Sequence, residues 1–377
     1  MIYDVVIVGG GPVGLFLGCR LAQLGLECVV LEKHAEPLQH SRSIGIHPPS
    51  LERFETLGIV DDLLARGVKV EKGLAFGATR PLGELDFSLC PEPYTFVLTL
   101  PQYMTESILG KHLCTSQPGA LWRRAEVLKV RDRGDYAEVG CEIDGEKRTL
   151  KARVIVGCDG KNSVVRNAAN IPFKGGRYPD AYLMGDFADL TNLESQAALY
   201  LTKDGIIESF PLPGKVRRWV VKMPRYVEGA TPRVLTREVE KRLGVEVPAE
   251  TNTMLSSFGI ERYLAKRFAR GRIALAGDAA HVVSPIGGQG MNLGWLDAWA
   301  LSDALLEVKW GAGLETSLER YSQTRRRAAQ VAILRAEFNT VMGRGTKLAP
   351  LRDFGLRGML QTPAKRVFAH MFTMRGL

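Results

Sequence analysis

Gly9, Gly11 and Gly14 stand in a G-x-G-x-x-G spacing directly after the apolar run Tyr3–Val8. Each glycine has its own task in such a turn. The first permits the tight reversal after a strand. The second lets the backbone approach a pyrophosphate, and the third lets helix and strand pack closely. Phosphates would then rest on a helix N-terminus, where free N–H groups and the helix dipole favour negative charge. Pro12 and Val13 belong to the same turn. Glu32, with Lys33 beside it, closes the next apolar run, Glu27 to Leu31. It lies at roughly the ~20-residue spacing expected of a carboxylate that bonds ribose hydroxyls. An acid at this position disfavours a 2′-phosphate, leaving FAD or NAD as the ligand. A bare glycine pattern would be weak evidence; the strand, helix, second strand and terminal acid make it strong.

A second group of residues decides between the two ligands. Arg272 to Ala276 reads as a buried strand that presents Asp278 at its C-terminal edge, followed by His281 and the turn Pro285-Ile286-Gly287-Gly288-Gln289-Gly290-Met291-Asn292. Open α/β sheets bind ligands at that edge, and a carboxylate there can hold a polyol. The N–H groups at Gly288, Gly290, Met291 and Asn292 could face the pyrimidine edge of a flavin and stabilise negative charge on it after reduction. A third group, Cys158-Asp159-Gly160 running to Arg166, also ends a strand. Asp159 and Arg166 could serve a cofactor, or could cap and pin the following helix, since Asp-Gly is often only a turn.

The segment Gly277 to Asn292 resembles the GD motif of the group A FAD-dependent monooxygenases, the aromatic hydroxylases typified by p-hydroxybenzoate hydroxylase. The opening βαβ unit is similar to theirs, and Cys158 to Arg166 resembles their DG motif. The resemblance spans about Met1 to Ala329, with the three motifs in order. It implies an arginine near the FAD pyrophosphate at Arg42, within Ser41-Arg42-Ser43. It also implies a glutamine near the flavin at Gln102, a backbone contact to adenine at Val127, and a proline beside the flavin ring at Pro285. The implied cycle consumes NADPH or NADH as a transient co-substrate and O2. A flavin C4a-hydroperoxide then hydroxylates an aromatic or polycyclic small molecule. One point comes from the residues alone: there is a single complete dinucleotide fingerprint, so the nicotinamide has no Rossmann site of its own. With so few residues after Asp278, the thioredoxin-like C-terminal domain of larger relatives is not expected in this sequence. None of the five tryptophans stands in the W-x-W-x-x-I-P setting of flavin halogenases.

These motifs require an α/β fold: a Rossmann-like FAD-binding domain with an inserted antiparallel-sheet substrate domain and C-terminal helices. The βαβ unit runs through a helix over Leu15 to Leu24, ended by Gly25. A helix is expected over Pro48 to Ala65 and another over Thr105 to Cys114. Leu121 to Leu150 reads as an antiparallel meander, and Ala152 to Gly157 as a separate buried strand. Antiparallel strands follow from Ile171 to about Phe258, and long helices over Met291 to Val308 and Leu314 to about Val341. The expected division gives residues 1–74, 100–170 and 265–343 to the FAD domain. It gives 75–99 and 171–264 to the substrate domain, and 344–377 to a basic amphipathic tail. The substrate pocket is expected to be lined by Tyr182, Met184, Asp186 and Phe210. His47 falls in a segment that the resemblance places near the flavin, with a plain loop histidine as its alternative. His281 is expected to bond nearby backbone. No catalytic base is identified.

The 377 residues suffice for two domains, with ordinary hydrophobic and charged fractions of 45% and 24%. The six cysteines are scattered without C-x-x-C pairs, indicating neither a metal site nor a disulfide framework. No signal peptide and no nucleic-acid motif are evident, so a cytoplasmic monomer or homodimer is expected. The net charge of +9 suits anionic cofactors. The tail carries Arg344, Lys347, Arg352, Arg357, Lys365, Arg366 and Arg375 among apolar residues. It could pack over the FAD domain or lie on an anionic membrane, in which case the substrate would be lipophilic. Two other functions fit the same fold: an FAD-dependent reductase of a prenyl or other unsaturated substrate, and a non-catalytic flavin-bearing accessory protein.

Overall fold

Parallel strands Tyr3–Val8, Cys28–Glu32, Glu146–Gly157, Ile273–Leu275 and Leu121–Arg123 form the centre of the first sheet in a computed structural model. The structure describes residues 2–37, 42–77, 80–346 and 349–377. Tyr3–Val8 lies between Glu146–Gly157 on one side and Cys28–Glu32 on the other. Ile273–Leu275 continues the sheet beyond Glu146–Gly157, and Leu121–Arg123 continues it beyond Cys28–Glu32. All five strands run parallel, so Gly9, Glu32, Cys158 and Ala276 emerge along one carboxyl edge. The chain order reverses at Tyr3–Val8, the switch point where such sheets form their crevice. The strands are nearly continuous apolar runs, as strands buried on both faces are.

Two sequence expectations change here. Leu121–Arg123 is not part of the meander but an edge strand of the parallel sheet. The meander consists of Ala125–Asp132, Ala137–Ile143 and the first half of Glu146–Gly157, whose second half enters the parallel sheet. One 12-residue strand therefore does what two expected elements were to do. The expected helix over Pro48 to Ala65 is two helices, Pro48–Thr56 and Val60–Leu64. Gly58 adopts φ +75 between them, a left-handed conformation that glycine reaches cheaply and that stops a helix.

Among the described residues the second sheet has eight strands. Its order is His281–Val282, Met254–Ala265, Phe173–Ala188, Val216–Met223, Gly205–Leu212, Ala197–Thr202, Lys72–Phe76 and Pro81–Asp86. Strand alternation divides its side chains cleanly. Leu183, Phe187, Trp219 and Val221 face helix Pro232–Leu243 through Leu235 and Val239. Tyr182, Met184, Ile206 and Val220 face the opposite way, in a cluster with Phe258 and Ile286. Helices Gln289–Lys309 and Leu314–Met342 follow the GD segment. Helices Ala349–Gln361 and Ala364–Phe372 end the chain. Leu356 and Leu360 of the tail pack against the inner cluster of the second sheet.

Candidate active site

The glycine turn obeys a tight steric logic. Gly9 has φ +103, and a Cβ there would lie 2.4 Å from the carbonyl oxygen of Cys158. A Cβ on Gly14 would lie 1.9 Å from the Gly9 carbonyl oxygen. Both glycines are consumed by packing, and neither lines the cavity in front of the turn. Gly11 differs, since a Cβ there would meet nothing within 4 Å. The space before it is open, as a backbone reserved for a phosphate requires. Among the described residues no side chain caps helix Pro12–Gln23, so the N–H groups of its first turn are left for a ligand. Glu32 accepts from the N–H of Gly10 at 2.7 Å and of His34 at 2.8 Å, which fixes its carboxylate at the cavity wall.

A cavity of about 730 Å³ extends from this turn along the carboxyl edge and under the second sheet. That is within the range of roughly 300–1,000 Å³ usual for small-molecule and cofactor sites. Of the residues singled out from sequence, Gly11, Pro12, Val13, Glu32, Arg42, His47, Gln102, Asp278, Pro285, Gly288, Gly290, Met291, Met184 and Phe210 line it. The two glycine-rich motifs touch: a Cβ on Gly294 would lie 2.5 Å from Val13 Cγ2 and 3.2 Å from the Cα of Gly277.

The remaining residues stand elsewhere, each for a visible reason. Lys33 is exposed, and Val127 is buried within strand Ala125–Asp132. Asp159 accepts from the N–H of Val165 at 3.2 Å, while Ser163 accepts from Arg166 N–H, so the pair caps helix Val164–Ala168. The Arg166 guanidinium donates to the carbonyls of Ala279 and Lys161 and stacks on Phe173, tying the DG segment to the GD segment. Asn292 is buried. Its amide donates to the carbonyls of Gly45 and Gly288 and accepts from His47 N–H, clamping the His47 segment to the helix. Tyr182 and Asp186 are not among the residues lining the cavity. Tyr182 is stacked on Phe258 in the layer behind it, and Asp186 is held by Arg218 through contacts of 2.6 and 2.8 Å. Arg218 does line the cavity, and it donates to the carbonyl of Arg42. Arg42 itself donates to Ser256 Oγ, and its guanidinium lies over the Phe258 ring. Ser41 and Lys347 lie outside the described residues.

The electrostatics separate working groups from supporting ones. The Asp278 carboxylate opens onto the cavity and has no hydrogen-bond partner among the described residues. The crowding walls raise its carboxyl above the ordinary value. Asp297, in helix Gln289–Lys309, is its buried counterpart. It accepts from His281 Nε2, Arg325 Nε and Gly277 N–H. Burial alone would raise this carboxyl, but His281 and Arg325 more than offset that and hold it below the ordinary range. His281 therefore bonds a carboxylate rather than the expected backbone. His47 is 1% exposed, with Nε2 3.2 Å from the Gly287 carbonyl. Since a carbonyl only accepts, Nε2 carries the proton. Burial lowers this imidazole to about 4, so it is neutral at physiological pH.

Glu208 is a lining residue that the sequence motifs do not announce. It is 4% exposed and lines the cavity from strand Gly205–Leu212. Burial pushes its carboxyl up to about 7. The signal was available, because alternation puts Glu208 on the same face as Phe210.

The residues present fit a bound FAD: an open glycine turn, a fixed carboxylate, Glu32, at the end of strand Cys28–Glu32, and, among the described residues, a carboxylate without a hydrogen-bond partner, Asp278, and a second helix N-terminus that no side chain caps. The comparisons agree. Residues 2–336 match the family model described as FAD binding domain, and the chain belongs to that family, the group A flavoprotein monooxygenases. It is 33% identical over 347 residues to an uncharacterized aromatic compound monooxygenase, YhjG, of Bacillus subtilis, covering 90% of this chain and 68% of that one. It is 34% identical over 336 residues to rifampicin monooxygenase of Streptomyces venezuelae, covering 86% and 68%. Among solved structures, p-nitrophenol 4-monooxygenase PnpA from Pseudomonas putida superposes with a TM-score of 0.91 at 25% identity, covering 100% of this chain and 99% of that one. This protein is an FAD-dependent monooxygenase.

Proposed function

We propose that the protein hydroxylates an aromatic or polycyclic small molecule at the inner end of this cavity, consuming NADPH or NADH and O2. The observation that carries the reading is the continuity of one cavity from the glycine turn to an apolar wall of Met184, Phe210, Val220 and Phe258. A dinucleotide gripped at one end would present its ring to a surface suited to aromatic carbon at the other. Bound FAD supplies oxygen activation after reduction by the nicotinamide. The chain's own residues do the rest. The Gly11 turn and Glu32 would hold the adenine half, Asp278 the polyol, and the Gln289–Met291 N–H groups the flavin's electron-rich edge, the Gly288 N–H being already donated to the Pro285 carbonyl. The neutral His47, fixed to the Gly287 carbonyl, keeps that turn in place. In this reading residues 75–99 and 171–264 supply the substrate layer.

The test is to incubate the FAD-loaded protein with NADPH or NADH and a panel of phenols and polycyclic aromatics under ¹⁸O₂. Incorporation of a single ¹⁸O atom with stoichiometric NAD(P)H oxidation is expected. Turnover that persists without oxygen would instead identify a reductase. No bleaching of the flavin by either nicotinamide would identify an accessory role. A second reading concerns the tail: Leu351, Phe354 and Val367 are exposed near Arg357, Lys365 and Arg366. Apolar and basic groups so placed suit peripheral contact with an anionic membrane.

A further inference from the structure

Behind the cavity lies a second, smaller chamber of about 150 Å³. The floor is the second sheet, through Leu74, Leu199, Leu201 and Ile206, and the roof is the C-terminal helices, through Leu356, Met359, Leu360, Phe368 and Phe372. Val97, Thr99, Glu208, Phe210, Ile286 and Phe372 line both spaces, so the chamber is an inward extension of the site. Among the described residues lining it, Glu208 is the one ionisable side chain.

Glu208 is unusual for a buried carboxylate. Its register partners, Leu199 and Val220, are apolar, and it has no hydrogen bond or ion pair among the described residues. Nearby charges are committed elsewhere: Arg218 to Asp186, Lys222 and Arg344 to Asp180, and Arg217 to Asp189. Tyr182 is the neutral neighbour that feels it. Burial first, and then the charge of Glu208, raises the Tyr182 phenol, whose hydroxyl finds no partner among the described residues. His47 is held neutral at Gly287. The charged residues of the two terminal helices, Arg352, Asp353, Arg357, Lys365, Arg366 and His370, do not line the chamber. An isolated carboxylate in apolar surroundings is costly unless something compensates it, and here the compensating group would come from the cavity.

We propose that Glu208 accepts the proton of a hydroxyl group on the aromatic substrate, while the apolar chamber beside it holds the hydrophobic remainder of the same molecule. This rests on the hydroxylation reading above and specifies its substrate as a hydroxyl-bearing aromatic with an apolar extension. In the step, the substrate O–H bond breaks and a Glu208 O–H bond forms. The electron pair stays on the substrate oxygen and conjugates with the ring, making its carbon a better nucleophile toward electrophilic oxygen. The proton returns to the oxygen once the product forms. A carboxyl whose midpoint is about 7 can take and return a proton near neutrality.

The test measures binding, not turnover. FAD-loaded oxidised protein without NAD(P)H is titrated with fluorescent 2-naphthol and with its ether, 2-methoxynaphthalene, one pH unit below and above the Glu208 midpoint. The wild type should bind 2-naphthol about tenfold more tightly at the higher pH, as the acceptor ionises, while the ether, with no proton to donate, shows no change. In Glu208→Gln both ligands should be indifferent to pH. The wild-type naphthol–ether comparison stands even if that variant folds poorly. A flat naphthol profile in the wild type, a pH dependence surviving in Glu208→Gln, or no naphthol binding at all overturns the proposal. Because no oxygen is transferred, a positive result here beside a failed ¹⁸O₂ experiment would sink the hydroxylation reading and leave the Glu208 site standing.

Discussion

Asp278 and Asp297 show how two carboxylates of one motif region take opposite duties. Asp297 is saturated by His281, Arg325 and Gly277, whereas Asp278 has no hydrogen-bond partner among the described residues and faces the cavity. Asp278→Ala should leave the melting temperature of the FAD-free protein unchanged and weaken FAD binding by about tenfold or more, the value of a hydrogen bond to a charged group. Asp297→Ala should cost about 3–5 kcal/mol of stability, because it strands the buried Arg325 guanidinium. Fluorescence titration with FAD and thermal melts separate the two. If Asp278→Ala melts lower without FAD, its role is structural. His47 adds a pH signature. Its folded-state value of about 4 lies below the ordinary 6.5, so as pH falls the unfolded chain takes up the proton first. The stability from this group is complete above 6.5, declines as pH falls toward about 4, and is then constant, for a loss of about 3 kcal/mol. Denaturant unfolding of wild type and His47→Gln across that window should differ by this amount. Parallel curves would show that His47 is not buried as neutral imidazole.

At the scale of elements, the site depends on two helices starting at nearly the same point. Helix Pro12–Gln23 begins at the glycine turn and helix Gln289–Lys309 at Gly288, and Val13 fills the notch between Gly277 and Gly294. Trp295 reinforces this by donating to the Pro12 carbonyl at 3.0 Å. Alanine at position 294 would normally favour a helix. Here Gly294→Ala should destabilise by about 1–3 kcal/mol through overpacking. Val13→Ala should recover part of that loss, giving a non-additive cycle readable by denaturant unfolding and by FAD affinity. Additive effects would mean that the two motifs do not support each other.

Across the whole molecule, the tail is part of the site. Phe372 lines both cavities, and three of the tail's arginines are engaged internally: Arg344 with Asp180, Arg352 with Asp353 and backbone carbonyls, and Arg375 with Glu52 and backbone carbonyls. Deleting residues 349–377 should leave FAD binding largely intact. It should open the apolar chamber to water and raise the hydrogen peroxide released per NAD(P)H oxidised, because hydroxylation needs a dry site. Co-sedimentation with anionic vesicles tests the membrane reading on the same pair of proteins: equal sedimentation with and without the tail would remove it.

Much of this was legible in the chain because it is local. A G-x-G-x-x-G turn needs its glycines for reasons of a few bonds' length, and apolar runs ending on Glu32, Asp159 and Asp278 announce strands whose ends meet at one sheet edge. The period-two pattern likewise announced a second sheet. Its inner face could have been read as far as Glu208, since that residue alternates with Phe210. What lies between distant segments was not legible. Sequence spacing does not say that Asp186 is spent on Arg218, that His281 meets Asp297 rather than backbone, or that strand Glu146–Gly157 serves two sheet regions at once. Nor could composition show that a basic tail closes an apolar chamber, since amphipathicity states only that a face must be covered. Burial and pairing are properties of neighbours brought together by folding, so the sequence by itself determined the cofactor grip and the tertiary structure decided which carboxylates are free to act.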